Sequence, residues 1–450
     1  MRGRWLPWAV GILAFLVAAA PWVYSYLWVQ PRTVWQVDLE VYREAARALV
    51  TGEPLYDLRT NSPQYLPFTY PPFAAVAGLP LLLAPFSAMG WIWTFVQLGL
   101  LWMIVGLAFR PLLSRLGPWG PVLRGVVAAA CVCTLAVSDS IRFGQVNAVI
   151  VGLCLADLAR SDPRDGRPLF WPRGALVGVA AAIKLTPAVF WVHWAVTRQW
   201  RTLAVSVGTA GGLTALVGLF APSATAAFWT DALLDPNRLG ANDNTSNQSM
   251  RGALIRMVSG RTTLHGAGWS LAWVAAVLAV SALAVYCSAR LDRAGDTVGV
   301  VACLGLMAFL VSPVSWIHHL FWGVVALGAL TGDGRRRRRL VVAGIFLIPQ
   351  LLRLPWWGED WLAHGSVPVW LGKTVQDGYT VTALLGLVLL WWFVVRPLGR
   401  SRPAGADATD LPADRPAARG ASTAGEDGAE AAESGPTGSD PAGPRVLTGS

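Results

Sequence analysis

Long apolar runs separated by short, arginine-rich loops make up most of this chain. Runs of about 15 to 23 apolar residues recur, and a helix needs roughly 20 to cross a bilayer. The predicted helices lie at 6–28, 125–139, 146–159, 202–220, 269–289, 296–312, 317–332, 340–354 and 378–395. Shorter apolar pieces in 71–110 and 174–197 bring the prediction to about 12 crossings. The pattern predicts an all-α polytopic membrane protein.

A short amphipathic segment follows the first apolar run. Apolar positions recur with helical spacing across 40–50, so we expect a helix lying along the membrane surface after the first span. In 71–110 the apolar sequence is split at Pro85, which predicts a piece that dips into the membrane, followed by one full span.

The basic loops set the expected orientation, since Lys and Arg are enriched on the cytoplasmic side of membrane proteins. Arg2 and Arg4 place the N-terminus inside, and the five arginines at 335–339 mark another internal loop. The outer loops are then expected at about 31–70, 222–267 and 355–377. We expect one membrane domain, 1–400, and a disordered cytoplasmic tail, 401–450, which contains no aromatic residue.

Composition agrees with a membrane protein. Hydrophobic residues make up 54% of the chain, charged residues 14%, and the mean hydropathy is +0.48. The net charge of +10 fits basic cytoplasmic loops better than nucleic-acid binding. All five cysteines lie inside apolar runs, so we expect small core residues, with no disulfide and no metal site among them. No P-loop or dinucleotide fingerprint is present, which argues against ATP-driven transport.

Uncommon polar residues collect on the predicted outer face. The candidates are Asp38, Gln145, Asn147, Lys184, Asn247, Gln248, Ser249, Arg251, Trp316, His318 and His319, with Tyr70 as a further lining residue. Ionisable groups at membrane depth are costly and are often functional. Their placement on one side predicts a shared cavity that opens outward.

Asp38 is the candidate acid or base of this cavity, although a carboxylate at a helix start also stabilises the helix dipole. Asp139 competes for the role, whereas an amphipathic helix would turn Glu40 toward solvent. Lys184 is flanked by apolar residues, and its ammonium suits a phosphate. Alternatively, it extends along apolar surface toward water.

His318 and His319 are suited to bond a carboxylate or a phosphate, or else form an interfacial pair beside Trp316. Adjacent helical residues point about 100° apart, so only one of them can face a given site. Without a third ligand nearby, no zinc site is expected. The amides and hydroxyls of 242–252 suit sugar hydroxyls, and Arg251 suits a phosphate, but a plain solvated loop is the competing interpretation.

Taken together, these motifs resemble the polyprenyl-phosphate-mannose-dependent mannosyltransferases of glycosyltransferase family 87, of the GT-C class. The motifs are 37–42 (VDLEVY) with 52–56 (GEPLY), 69–72 (TYPP), 144–147 (GQVN), 184–187 (KLTP), 246–249 (SNQS) with Arg251 and Gly252, and 312–316 (SPVSW) with His318 and His319. Each is weak alone, but their order over about 36–322 makes the set specific. The loop at 247–249 looks most like α-1,2-mannosyltransferases of lipomannan or phosphatidylinositol mannoside synthesis, two possibilities that stay open.

The resemblance implies a GT-C membrane fold in a bacterial plasma membrane, with the active site on the outer face and both termini inside. It implies a polyprenyl-phosphate-mannose donor, a lipid-linked mannoside acceptor, no cofactor, and inversion at the anomeric carbon. Asp38 would be the base, with His318 or His319 orienting it. Lys184 and Arg251 would offset the charge on the departing phosphate.

Two other functions remain open at this point. A transporter or flippase of an anionic lipid would also use helix breaks and buried cations, although no internal repeat is visible. Another GT-C enzyme could use a different sugar on the same kind of donor.

Overall fold

The computed structural model describes residues 5–31, 34–159, 171–235, 238, 240, 242–258 and 267–398. These residues are mostly helical, and the extended pairing among them consists of two isolated antiparallel bridges, Arg59 with Pro67 and Asn247 with Trp316. The all-α prediction is confirmed. The predicted tail, 401–450, and part of the predicted outer loop, 259–266, lie outside the described residues.

The α-helices range from a single turn to more than seven turns. The first eight in chain order are α1 (Leu6–Tyr24), α2 (Val37–Thr51), α3 (Phe73–Ala77), α4 (Phe86–Ala108), α5 (Arg110–Arg115), α6 (Gly120–Val132), α7 (Leu135–Phe143) and α8 (Asn147–Ala159). Next come α9 (Ala175–Ile183), α10 (Val189–Val196), α11 (Trp200–Phe220), α12 (Pro222–Ala227), α13 (Met250–Val258), α14 (Ala267–Arg293) and α15 (Thr297–Val311). The last are α16 (Gly323–Thr331), α17 (Arg337–Leu351), α18 (Leu354–Ala363), α19 (Val369–Gln376), α20 (Gly378–Leu390) and α21 (Arg396–Leu398).

Several of these helices are long and apolar enough to cross a membrane. By length and composition, the described residues contain five such segments: Leu6–Val29, Phe86–Ala108, Trp200–Phe220, Ser270–Arg293 and Gly378–Leu398. Counting the bent pairs α6–α7 (75°) and α17–α18 (52°) as single spans raises the number to seven, and three shorter apolar helices remain. The multi-pass prediction is confirmed, but the number of about 12 crossings is not.

Two predicted regions have a different local structure. The two crossings expected in 174–197 are the nine-residue α9 and the eight-residue α10, each about 12–14 Å long at 1.5 Å per residue. Neither is long enough to cross a bilayer. The outer loop expected at 355–377 is largely helical, since most of it forms α18 and α19.

The centre of the helical unit is formed by α15 and α16. Every residue of 299–310 in α15 and of α16 is buried. A helix that is apolar on all sides is stable only when other helices surround it. Here α8, α14 and α20 pack around α15.

The start of α2 is anchored in this frame by Gln36, which is fully buried in a left-handed conformation (φ 42°). Its side-chain Nε2 donates to Thr94 Oγ1 at 2.8 Å and to Gly90 O at 3.2 Å, both on α4. Leu39, also fully buried, packs against Gly144, which ends α7 with φ 69°. A Cβ at position 144 would lie 2.7 Å from the Leu39 Cβ. Only glycine therefore allows this approach.

A second set of contacts, which we name the polar brace, consists of Asn247, Gln248, Ser249, Arg256 and Asp377. The Gln248 amide donates to Thr245 O (2.7 Å) and to Gln376 O (2.8 Å). Its Oε1 accepts from the first backbone N–H groups of α20 at 3.1 and 3.3 Å. The predicted outer loop is thus tied to the start of α20.

A buried ion pair completes the polar brace. The Arg256 guanidinium bonds Asp377 Oδ1 through Nε at 2.8 Å and also through Nη2, and each side chain is 5% exposed. Arg256 further donates to the carbonyls of Asn244 (2.7 Å) and Asn247 (2.8 Å). Together these bonds tie the described residues Asn244 and Asn247 of the loop to the residue before α20.

Replacing Gly144 by alanine should lower the thermal stability. The added Cβ meets Leu39 and imposes an unfavourable φ, a strain of about 1–3 kcal/mol. The melting temperature of the detergent-purified protein measures it. Gly208→Ala in α11 is the control, because a Cβ there meets nothing within 4 Å. Equal melting temperatures for the two variants would contradict the packing described.

Removing one partner of the buried ion pair should cost far more than removing one partner of an exposed pair. Arg256→Met leaves the Asp377 carboxylate buried without its ion-pair partner, and the free energy of unfolding should fall by about 3–5 kcal/mol. The same substitution at Arg47, which pairs with Glu44 at 2.9 Å while 53% exposed, should cost below about 1 kcal/mol. Thermal unfolding compares the two, and similar losses would show that the brace is not a stabilising element.

Candidate active site

Asp38 lies in the first turn of α2, half-buried beside the turn between α7 and α8. Its carboxylate is hydrogen-bonded by the Gln145 side chain. Gln145 also accepts from the Tyr42 hydroxyl at 3.1 Å. Both bonds depend on the close contact of α2 with Gly144, because Gln145 is the next residue in the turn.

Burial raises the pKa of Asp38 from 3.8 to about 6. The Gln145 hydrogen bond and the positive charge of Lys184 favour the ionised form and limit the shift. A carboxyl group with a pKa near the working pH is suited to take up a proton during a reaction.

Lys184 caps α9 in an extended conformation and is 9% exposed. Its ammonium lies 3.2 Å from Asn147 Oδ1 and 2.9 Å from His319 Nε2. It also lies 5.7 Å from the centre of the Tyr70 ring. Four separate segments of the chain therefore meet at one buried cation.

The two histidines have different surroundings. The His319 Nδ1 accepts from the Trp316 N–H at 3.2 Å, while its Nε2 faces Lys184. The His318 ring packs edge-on against Phe143, and its Nε2 is buried without a hydrogen-bond partner in the described part of the chain. The His318 carbonyl accepts from Asn147 Nδ2 at 3.0 Å.

This arrangement has a surplus of hydrogen-bond donors. A neutral imidazole has one acceptor nitrogen, so His319 cannot accept from both the Trp316 N–H and the Lys184 ammonium. An oxyanion bound beside the Lys184 ammonium and the His319 Nε2–H would accept from both of them. A small cavity of about 10 Å³ adjoins this point and is lined by Asn147, Lys184, Ser315 and His319, among others.

The structure brings together six of the candidates from the sequence: Asp38, Tyr70, Gln145, Asn147, Lys184 and His319. Gln145 rather than a histidine bonds Asp38, and among the described residues neither histidine ring hydrogen-bonds this carboxylate. Glu40 is half-buried and accepts from Asn61 at 2.8 Å, so it is tied to a loop. Asp139 is buried within α7, in the field of Arg142 and Arg353.

The candidates at 247–249 lie in the polar brace. Their side chains bond the backbone: Asn247 accepts from Ser315 N at 3.0 Å, and Ser249 donates to Pro313 O at 3.1 Å. The bridge to Trp316 extends the brace toward His319. Arg251 lies in the first turn of α13, and its Nη1 is buried without a partner in the described part of the chain.

The six candidates brought together above form, with one further residue, what we name the active-site cluster. That further residue was missed from the sequence. Tyr42 is buried, bonds Gln145, and packs against Tyr70 with ring centres 5.0 Å apart and the ring planes tilted by 56°. Its position four residues after Asp38 places both on one helix face, which was the available signal.

In the described part of the chain, no three His, Cys, Asp or Glu side chains are grouped as metal ligands would be. The chemistry that this arrangement offers is a carboxylate for a proton and a buried cation for an anion. The two are close enough for the Lys184 charge to act on Asp38.

Comparison with known proteins identifies the family. The sequence model of glycosyltransferase family 87 matches residues 68–313, which includes Lys184 but neither Asp38 nor the histidine pair. A polyprenol-phosphate-mannose-dependent alpha-(1-2)-phosphatidylinositol mannoside mannosyltransferase of Mycobacterium tuberculosis is 32% identical over 385 residues, covering 78% of this chain and 86% of the relative.

Two further relatives are similar. The protein of the same description from Mycolicibacterium smegmatis is 33% identical, over 70% of this chain and 75% of its own length. A polyprenol-phosphate-mannose-dependent alpha-(1-2)-phosphatidylinositol pentamannoside mannosyltransferase of M. tuberculosis is 30% identical, over 77% and 78%. No solved structure matches. The chain belongs to glycosyltransferase family 87 and is an all-α, multi-pass membrane glycosyltransferase of the GT-C class.

Proposed function

We propose that this enzyme transfers mannose from a polyprenyl-phosphate-mannose donor to a phosphatidylinositol mannoside, forming an α-1,2 linkage with inversion. The descriptions of the relatives support this donor and acceptor, and favour phosphatidylinositol mannoside over lipomannan. The single observation that carries the mechanism is the half-buried Asp38, bonded by Gln145 within the field of Lys184. No observation on the described residues favours a transporter.

Asp38 acts as the general base. It takes the proton of the acceptor hydroxyl while that oxygen attacks the anomeric carbon. The bond from this carbon to the phosphate oxygen breaks, and polyprenyl phosphate leaves with the electron pair. One carboxylate is sufficient for such an inverting displacement, since no covalent sugar–enzyme intermediate has to form.

Lys184 stabilises the leaving group. Negative charge grows on the phosphate as the glycosidic bond breaks, and a pre-positioned cation in dry surroundings lowers the energy of that state. The His319 Nε2–H would donate to the same phosphate. Asn147 holds Lys184 in place through its Oδ1 and holds the His318 backbone through its amide.

Acceptor binding involves the region around Trp316. Its half-buried indole follows the brace and is next to the histidines in sequence, so it is placed to stack on a sugar ring. Asn247, Gln248 and Ser249 contribute by holding this segment. Arg251 would be a second cation for a lipid phosphate.

The active site is assigned to the extracytoplasmic face of the plasma membrane, with both termini cytoplasmic. The arginines at 336–339 lie at the other end of the helices from the polar brace, which supports this orientation through the positive-inside rule. A lipid-linked donor is available there without a nucleotide sugar.

Asp38→Asn should lower the turnover number by about 10²–10⁴-fold, the usual contribution of a general base. The measurement is mannose transfer by the purified protein from polyprenyl-phosphate-mannose to a phosphatidylinositol mannoside. Glu40→Gln is the matched control, because it removes a carboxylate from the same helix turn and should keep near-normal activity. Full activity in the Asp38 variant, with an unchanged melting temperature, would exclude it as the base.

The rate should fall as the pH drops through about 6. The pKa of Asp38 is raised to about 6, so the base is ionised above this pH and protonated below it. Gln145→Ala removes a hydrogen bond that lowers the pKa. Its acidic limb should therefore shift to higher pH in a profile of kcat. An unshifted limb would show that Gln145 does not set the pKa of the base.

A further inference from the structure

A basic and aromatic cavity lies at the junction of α17 with the end of α20. Its volume is about 770 Å³, and it is lined by Arg336, Arg337, Arg338, Arg339, Trp392, Phe393, Arg396 and Pro397. An adjoining cavity of about 460 Å³ shares Trp392 and Arg396 and adds Tyr286, Arg290, Trp391 and Val395. We name the two together the arginine pocket. The reaction proposed above uses none of these residues.

Among the described residues, the positive charge of the arginine pocket is largely uncompensated. Arg336, Arg337 and Arg338 are exposed, and within the described ranges none of their side chains forms a hydrogen bond or an ion pair. Arg339 is held by the backbone carbonyls of the preceding helix and lies in the field of Asp296. The three exposed guanidinium groups are therefore available to an external anion.

Two further contacts affect the charge of the arginine pocket: one involves a nearby carboxylate, and the other holds a cation at the wall. Asp333 is the nearby exposed carboxylate, and it lies 3.6 Å from Arg335, which is not part of the lining. The Arg396 guanidinium stacks over the Trp392 ring at 4.2 Å from its centre. This stacking fixes one cation at the wall of the pocket.

The pocket lies where a membrane-spanning helix reaches the bilayer surface. The segment Gly378–Leu398 is a candidate span, and its first residues bond Gln248 of the polar brace. At 1.5 Å per residue, the lining residues Trp392 to Pro397 lie about 20–27 Å from these first residues along the helix. Trp392, Leu340 and Val341 are each 43–54% exposed beside it. An exposed tryptophan among apolar side chains at a span end is typical of a lipid interface.

We propose that the arginine pocket binds the phosphate of an anionic phospholipid from the leaflet at that end of the helices. The guanidinium groups donate to the phosphodiester oxygens, and the exposed Trp392 and Leu340 contact the glycerol and upper acyl chains. Those exposed apolar neighbours favour a lipid headgroup over free phosphate. The distance of about 20–27 Å from the brace separates this lipid from the sugar donor and the acceptor.

Lipid binding by the full-length, purified protein tests this proposal. Phosphatidylglycerol and phosphatidylcholine are titrated separately, and native mass spectrometry gives the affinity for each. Phosphatidylglycerol should bind more tightly, and Arg337→Gln/Arg338→Gln should weaken it about 30-fold, from about fivefold per arginine near the surface. The control is Arg198→Gln/Arg201→Gln, which removes the same charge from exposed arginines outside both cavities and should change the affinity less than twofold.

Three results would overturn the proposal. The first is unchanged affinity for phosphatidylglycerol in the Arg337/Arg338 variant with an unchanged melting temperature. The second is inorganic phosphate binding as tightly as the lipid, which would indicate a site for a soluble anion. The third is cross-linking of an Arg337→Cys variant to 401–450. That segment has eight acidic and four basic residues, and this result would make the chain's own acidic segment the occupant.

Discussion

A lysine ammonium can remain buried only if the surrounding chain supplies compensating groups, and Lys184 sets this condition for the active-site region. Its partners come from α8, from the turn that carries His319, from the segment before α3, and from the start of α2. The four residues concerned, Asn147, His319, Tyr70 and Asp38, are far apart in sequence. The charge therefore determines which of them must meet, and the carboxylate of Asp38 is brought close as one of the compensating groups.

The active-site cluster and the polar brace differ in how far their hydrogen-bond donors and acceptors are paired. In the brace, Gln248 uses both ends of its side chain and Arg256 donates to three acceptors, while one buried atom, Asp377 Oδ2, has no partner among the described residues. In the cluster, donors exceed acceptors around Lys184 and His319. A satisfied network is rigid, whereas a surplus of donors can receive an anion. The polar brace is therefore suited to hold its segment in place. The donors around Lys184 and His319 are suited to bind an anion.

Much of the fold followed from apolar periodicity, because a bilayer-length helix such as α1 or α11 leaves an unmistakable run. The short helices were harder to predict from the sequence. α9 is apolar throughout and α10 has His193 as its one polar residue, and a hydropathy pattern does not show that helices this short fail to cross. Lys184, which ends α9, contacts Asn147 and His319, and such tertiary contacts are not contained in a hydropathy pattern.

The candidate site shows a similar division. Asp38, Lys184 and Asn147 could be predicted because polar residues are conspicuous between apolar runs. The polar residues of 247–249 were conspicuous for the same reason, yet they serve the loop and not the cluster. The sequence cannot distinguish a structural amide from a ligand-binding one, because the same residue type can bond either the backbone or a ligand. Tyr42 was missed because an aromatic residue on the buried face of a helix is most often a core residue, and the bond from its hydroxyl to Gln145 is not visible in the sequence.

The helix that begins at Gly378 has a further consequence. It continues through the π-helical turn Trp391–Val395 into α21 and ends at Leu398, about 30 Å from its start at 1.5 Å per residue, against a hydrocarbon layer of about 30 Å. With the brace bonded to its first turn, this helix would hold the proposed catalytic groups at a set height over the opposite leaflet. Bilayer thickness would then affect the proposed reaction. Acyl chains a few carbons longer or shorter would submerge or lift the cluster relative to the donor phosphate, with no side chain changed.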